Sequence, residues 1–480
     1  MAPRVLIIGG GITGLTTAHR LLEAQPDLDV KVVEASPRFG GTMGTEIVDG
    51  FVFERGPNGF LDNVPQTLEL ARALGLGDRL LPSAPTAKNR YLLRKGRLHA
   101  LPTSPLKLLT SSLLSVGGRL RTLCEPFKSR ARPGTEDSVA SFGRRRLGVE
   151  ATSTFLDPLV TGIYAGDVER VSLQAAFPRL AALEREHGSL MKGTVAKARA
   201  RRRTGEGSSS AGSAPSGGTL YSFEAGLEEL VQALVHRLGD RVQLDASVEM
   251  VRPKGGKSEE YEVVLRDQTV LESPVVVAAL PAPRAANFFS SWNHDLANAL
   301  GEIPYAPVAV VCLGYKRSDV VNPLKGFGFL IPRDQGVRTL GVIWVSSIFP
   351  PHAPPKTASL RVLVGGARDP EVVGRSAERL TELVLGEMGP ILGLKGEPVA
   401  RRVYRYTQGI PQYNVGHAKR LRRIDGWLRQ LPGLFLTGNA YRGVGINDCV
   451  AEAERVAGDV LAYLQLSEET SAELPGKRHP

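Results

Sequence analysis

The sequence predicts an α/β fold (α+β over the full length), and three observations carry that prediction. A short apolar run, Val5 to Ile8, is followed by Gly9, Gly11 and Gly14 at G-x-G-x-x-G spacing, with Gly10, Ile12 and Thr13 between them. Apolar residues of helical period then begin at Ile12 and continue through Leu15, Ala18, Leu21 and Leu22. A second apolar run, Val30 to Val33, ends at Glu34. Strand, tight turn, helix and strand in this order open a Rossmann-like unit. Gly9 lets the chain turn sharply out of the strand, Gly11 leaves room for a pyrophosphate against the backbone, and Gly14 lets helix and strand pack closely. The helix N-terminus offers unpaired N–H groups and partial positive charge to phosphates. Glu34 stands about 20 residues past Gly14, where a carboxylate accepts from ribose hydroxyls. Together these features predict a dinucleotide site.

The run after the second strand narrows the choice of dinucleotide. Glu34, Ala35, Arg38, Gly40 and Gly41 form an E-x-x-x-R-x-G-G pattern. It resembles the second signature of flavoproteins in the amine-oxidase-like superfamily. The resemblance implies FAD, with the arginine and glycine pair along its pyrophosphate. Thr42 stands where many of these relatives carry a basic residue.

Bulk properties bound the rest. A chain of 480 residues is long enough for two to four domains with large cores. Cys124, Cys312 and Cys449 are scattered with no C-x-x-C pair, which argues against a disulfide framework and a zinc site and suits a reducing compartment. The Rossmann-like run begins at once, no signal peptide is read before it, and no stretch reaches the roughly 18 apolar residues of a membrane span. The expectation is a cytoplasmic protein, soluble or peripheral on the cytoplasmic membrane. The formal net charge is +11, and the surplus is local: residues 88–203 hold 23 basic and 9 acidic side chains. Such a surplus attracts anionic membranes or acidic ligands, or is simply a solvated basic face.

Along the chain, 1–85 reads as the first part of the nucleotide-binding domain. Residues 86–215 read as a helical, membrane-facing, substrate-access domain. Its leucine-rich stretch Leu101 to Leu123, interleaved with Lys and Arg, suits a membrane interface and a helical core equally. Ala151 to Leu190 reads as helix broken at Pro158 and Pro178. Residues 193–218, basic and then Ser/Gly-rich, read as a mobile surface loop; without aromatic interleaving they argue against nucleic acid. The second part of the nucleotide-binding domain spans 216–290, with a helix over Gly226 to Leu238, a strand over Val242 to Met250, paired strands over Glu260 to Leu265 and Thr269 to Leu271, and a fully apolar, buried parallel strand over Val275 to Leu280. A mixed-sheet substrate-binding domain spans 291–425, with strands near Val308 to Leu313, Leu340 to Val345 and Leu360 to Gly365. The third part, 426–480, supplies a strand at Leu434 to Leu436 and a helix from about Asp448.

Several blocks then resemble the protoporphyrinogen oxidase family over nearly the whole length. They are FERGPNGF (53–60), NRYLLRKGRLHALP (89–102), TGIYAGD (161–167), GFGFLIP (326–332), GIPQYNVG (409–416) and NAYRGVGINDC (439–449). The resemblance implies an FAD-dependent oxidation of a porphyrinogen to a porphyrin. Hydride passes to the flavin, O2 is the acceptor and H2O2 is released. It implies that the 9–14 turn, Glu34, Ala35, Arg38, Gly41 and Thr42 line the adenine, ribose and phosphates. Gly56, Pro57, Asn58 and Gly59 pass near the isoalloxazine, Val248 meets the adenine end, and Asn439, Val444, Gly445 and Ile446 hold the phosphate and flavin end. Arg90 pairs with a substrate propionate, Gly162 turns its carbonyl to a pyrrole N–H, and Leu330, Ile343 and Leu363 sandwich the ring. No catalytic acid or base and no metal ligand is assigned. The chemistry agrees: a large apolar ring with two carboxylates needs an apolar slot and a bidentate arginine. A peripheral anionic membrane surface and a homodimer fit as partners. Coproporphyrinogen III oxidation, another oxidase or desaturase of the superfamily, and a non-catalytic adaptor holding FAD remain as alternatives.

Overall fold

The computed structural model describes residues 4–102, 105–132, 134–203, 218–256 and 260–473. The opening apolar run forms the strand Val5–Ile8, every residue of it buried. It lies at the centre of a five-stranded sheet, between Val30–Val33 and Val275–Ala279, with Val242–Gln243 and Leu434–Thr437 at the edges. All four pairings are parallel. The strands are apolar throughout because both faces are covered. Val5 and Ile7 face the helices Ile12–Ala24, Glu228–Leu238 and Ile446–Glu473. Leu6 and Ile8 face the helices Ala282–Phe289 and His294–Gly301 and an antiparallel meander of Val248–Pro253, Tyr261–Leu265 and Val270–Ser273. The alternation is the period of two that a strand imposes.

The single strand expected over Val242 to Met250 is two. Val242–Gln243 joins the parallel sheet and Val248–Pro253 starts the meander. Asp245 sits between them at φ 55°, and a short polar side chain tolerates that left-handed turn.

A second body is a seven-stranded sheet in the order Ala400–Pro411, Tyr305–Lys316, Thr357–Gly365, Thr339–Trp344, Gly328–Leu330, Arg90–Arg94 and Arg97–Ala100. The hairpin of the last two strands extends this sheet, so the helical region starts beyond residue 100 and not at the expected 86. The limits expected at 291 and 425 also cut across packed structure. Leu296 and Leu300 of His294–Gly301 and Ile424 of His417–Leu428 share the core against the parallel sheet.

One face of the seven-stranded sheet is filled by Ala377–Leu392, whose Leu380, Val384 and Met388 pack with Val311, Phe329, Val342 and Val362. The register assigns the other face two cross-strand rows. Arg90, Gly328, Ile343, Arg361 and Cys312 form one row, and Leu92, Leu330, Gly341, Leu363 and Val310 form the next.

The helical region packs Val139–Arg146, Asp157–Tyr164 and Leu173–Ala176 around Phe142, Val160 and Leu173. Pro158 does not interrupt it. Helical backbone runs on from a π-helical turn, Thr152–Leu156, into Asp157–Tyr164, and Pro158 sits just beyond that rewound turn. Pro178, in contrast, starts a new helix, Pro178–His187, where its missing N–H has no partner to lose. Arg146 and Glu125 are both fully buried and paired. Burial pushes the Glu125 carboxyl up, but bonds from Ser189 Oγ, the Leu190 N–H and Arg146 outweigh it and hold the carboxyl below its usual range. Removing one partner of such a pair strands a buried charge, at a cost of about 3–5 kcal/mol.

The loop expected from residue 193 is helix as far as Arg203: Leu190–Arg203 runs through the basic cluster. Ala, Lys and Arg are good helix formers, and Ser189 Oγ accepts from the Lys192 N–H at the start. Residues 204–217, the Ser/Gly-rich remainder, lie outside the described residues. Among the described residues, no helix is long and apolar enough to cross a membrane.

Candidate cofactor and substrate site

The first turn is built as the glycine spacing requires. Gly9 has φ 111°, and a Cβ there would strike the Ala279 carbonyl. A Cβ on Gly14 would collide with the Gly9 carbonyl oxygen. Gly11 differs, because a Cβ there meets no atom within 4 Å. Its missing side chain is therefore not needed for internal packing, and it faces open space at the N-cap of Ile12–Ala24. That helix has no side-chain cap and no acidic residue in its first turn. The N–H groups of Ile12, Thr13 and Gly14 precede the first helical bond, from the Leu15 N–H to the Gly11 carbonyl.

The second signature folds beside this turn. The Glu34 carboxylate accepts from the Gly10 N–H at 2.7 Å and from the Ser36 N–H and hydroxyl at 2.9 and 2.6 Å. Arg38 donates to the carbonyls of Phe39, Gly41 and Met43, so its guanidinium closes the 38–43 loop on itself. Ala35, Gly41 and Thr42 are exposed, and Gly41 lies against Gly11. The Ala246 N–H donates to the Glu34 carbonyl at 2.9 Å, which brings Val248 to the same end.

The C-terminal pieces close the rim. The Thr13 side chain lies against Cys449, and Arg20 pairs with Glu454 at 2.5 Å one to two turns further on. The first and last long helices thus run side by side with their N-termini together. Tyr413 fixes the turn before the last helix. Its hydroxyl donates to the Asn439 carbonyl at 2.6 Å and accepts from the Gly443 N–H at 2.7 Å. The Gly445 N–H donates to Asp448 at 3.1 Å. Asn447 donates to the Leu61 carbonyl at 2.7 Å and so links Ile446 and its neighbours to the turn Gly56, Pro57, Asn58 and Gly59. A Cβ on Gly56 would strike the Thr42 carbonyl. Asn58 is buried, and neither of its polar side-chain atoms has a partner among the described residues. The open space at Gly11, the uncapped helix end and the orphaned amide of Asn58 all fit a bound FAD. Such polar groups are expected to be paired when a site is complete.

The substrate residues gather on the inner face of the seven-stranded sheet. Leu330, Ile343 and Leu363 are half-buried, whereas their outer-face neighbours Phe329, Val342 and Val362 are buried. Gly162, on Asp157–Tyr164, packs directly over the Leu330 side chain. Arg90 lies on the same face, its guanidinium 4.4 Å from the centre of the Phe327 ring. Burial lowers its pKa, and no carboxylate pairs with it among the described residues. Lys88, Arg90, Ala87, Leu220 and Phe327 line a cleft of about 180 Å3.

Sequence reasoning missed Arg361 and Glu54. Arg361 is 6% exposed on the inner face and donates to the Gly56 carbonyl. Its signal in the sequence is a lone cation inside the apolar run Leu360 to Val364. Glu54 is buried and accepts from the Leu227 N–H at 2.7 Å and the Thr45 hydroxyl at 3.0 Å. Burial pushes its carboxyl up to about 7 despite those bonds.

Two predictions follow from this geometry. G14A should destabilise the protein in thermal unfolding, because its methyl group strikes backbone. G11A should leave the melting temperature of the flavin-free protein unchanged but reduce flavin affinity at least tenfold, read from visible absorbance and titration. The second concerns Glu54. Its folded-state pKa lies above the ordinary 4.5, so the folded protein holds the extra proton and stability falls as pH rises from 4.5 to about 7. E54Q should remove that part of the slope, on the order of 3 kcal/mol, in denaturant unfolding compared at pH 5 and pH 8.

A family model described as "Flavin containing amine oxidoreductase" matches residues 12–461. The chloroplastic protoporphyrinogen oxidase of Nicotiana tabacum is 34% identical over 96% of this chain and 85% of its own. The coproporphyrinogen III oxidase of Bacillus subtilis is 30% identical over 96% of this chain and 98% of its own. Among solved structures, one from Exiguobacterium sp. 255-15, provisionally named a protoporphyrinogen oxidase, superposes with a TM-score of 0.82 at 28% identity, covering 97% of this chain and 99% of that one. With this match over most of its length, and with both glycine motifs and the paired helix ends in position, the chain belongs to the flavin containing amine oxidoreductase family: it is an oxidoreductase whose cofactor is FAD.

Proposed function

We propose that this enzyme oxidises protoporphyrinogen IX to protoporphyrin IX, with O2 as the final acceptor and H2O2 as its product. The observation that carries the reading is the inner sheet face, where Arg90 stands without an anionic partner among the described residues, beside the half-buried Leu330, Ile343 and Leu363. FAD, when bound, accepts the hydride. The chain's part is to hold and orient. The N-termini of Ile12–Ala24 and Ile446–Glu473 would carry the diphosphate, and Glu34 the ribose. Arg90 would clamp a propionate in two-point fashion where lysine cannot. Leu330, Ile343 and Leu363 would press on the ring, and the Gly162 carbonyl would accept from a pyrrole N–H. Held so, the reacting carbon meets its acceptor in a site from which the apolar walls exclude water.

Coproporphyrinogen III is the second reading. It rests on Lys88, which lines the cleft together with Arg90 and would meet a further carboxylate. Turnover of the two porphyrinogens, followed by porphyrin fluorescence, decides between them. R90A should raise KM about 10- to 100-fold, the worth of a charged hydrogen bond. R90K should recover little of the loss. Unchanged KM in R90A would remove the clamp from the reading.

We also propose that the helical region rests on an anionic membrane. Val116, Leu120 and Phe127 are 68, 59 and 86% exposed, and the first two lie one turn apart on one helix. Arg130 and Arg132, also exposed, follow closely in the chain. Apolar anchors beside cations suit an anionic headgroup layer. The triple variant V116D/L120D/F127D should lose most sedimentation with vesicles containing phosphatidylglycerol at low salt while keeping its flavin. Equal binding by the variant would exclude this surface.

A further inference from the structure

We propose that Arg361 is the positive charge that raises the electron affinity of the bound flavin, and that it also holds the Gly56–Gly59 turn in position. The inference rests on the reading that this turn lines the isoalloxazine.

Three observations lead to Arg361. It is almost fully buried, and its guanidinium donates to the Gly56 carbonyl at the start of the turn. Its Nε is buried without a partner, as are both polar side-chain atoms of Asn58 two residues further along the turn. Its charge is also poorly compensated. It makes no salt bridge among the described residues. Its row neighbours are Ile343, which is apolar, and Cys312, whose thiol burial pushes up to about 12 and so keeps neutral. The carboxyl that faces it is Glu54, itself partly protonated near neutrality because burial pushes it up. A guanidinium stays protonated in such a place even though burial lowers its pKa.

An uncompensated buried cation is costly unless something in the finished site uses it. Reduction of a flavin delivers two electrons to it, and a fixed cation nearby favours the form that carries more negative charge. The hydrogen bond to Gly56 sets where the charge lies, since it ties strand Thr357–Gly365 to the turn. Arg361 on this account touches no reacting atom. It acts through the turn and through its field, as a positioning and potential-setting residue.

The test is the midpoint potential of the substrate-free holoenzyme in R361Q, R361M and R361K. The neutral variants should lower the reduction equilibrium constant at least tenfold, about 30 mV for a two-electron couple. R361K, which keeps the charge but not the fork, should stay within about threefold of the parent while binding FAD more weakly. A parent-like potential in R361Q or R361M overturns the proposal, as does a potential in R361K as low as theirs. Loss of flavin in both neutral variants with retention in R361K supports the cation; loss in all three assigns the residue to packing alone and overturns it. N58D separates this result from the underlying reading. If the turn lines the flavin, N58D shifts the visible spectrum or the potential. If N58D changes neither, the reading of the turn fails, whatever Arg361 does.

Discussion

Two helix N-termini from remote parts of the chain are held together beyond the C-terminal ends of the strands of one parallel sheet, and the rest of the molecule is placed relative to that point. The sheet makes this possible. Val5–Ile8 lies beside Val275–Ala279, which lies beside Leu434–Thr437, so the helices that follow the first and last strands start at the same level. Thr13 against Cys449 and Arg20 against Glu454 keep them in register. Close packing at Gly9 and Gly14 is what brings the first helix near enough for its N–H groups to matter.

The second sheet supplies a face of mixed character. Its outer side is an ordinary apolar core against Ala377–Leu392. Its inner side combines half-buried apolar residues with two cations, Arg90 and Arg361, neither of which makes a salt bridge among the described residues. An apolar wall with placed charges is what a large, carboxylated ring requires on one side and a redox cofactor on the other. The glycines at 162 and 341 leave room for the Leu330 side chain, which a Cβ at either position would strike.

Much of the nucleotide-binding half was legible because its signals are local. Gly9, Gly11 and Gly14 fix a turn, and Val30–Val33 followed by Glu34 is contiguous. The site's other half depends on register between distant strands, which no window of sequence contains. Arg90 and Arg361 share a row only because Gly328 pairs with one neighbour and Ile343 with the next. The hairpin Arg90–Arg94 and Arg97–Ala100 was read into the helical region for the same reason: its partner, Gly328–Leu330, lies far along the chain. Pro158 and the basic run before Arg203 misled for local reasons. A π-helical turn carries the helix past the proline, and a charged segment rich in Ala, Lys and Arg is a good helix.

The order of strands in the parallel sheet has a consequence for biogenesis. Leu434–Thr437 is synthesised well after Val275–Ala279, and until it docks there the second helix terminus is missing from the rim. Such pairings between remote segments close slowly. Until that docking the chain carries a half-built cradle. A cradle completed so late couples flavin capture to the docking of that strand, and a bound flavin in turn favours the closed sheet over its open forms.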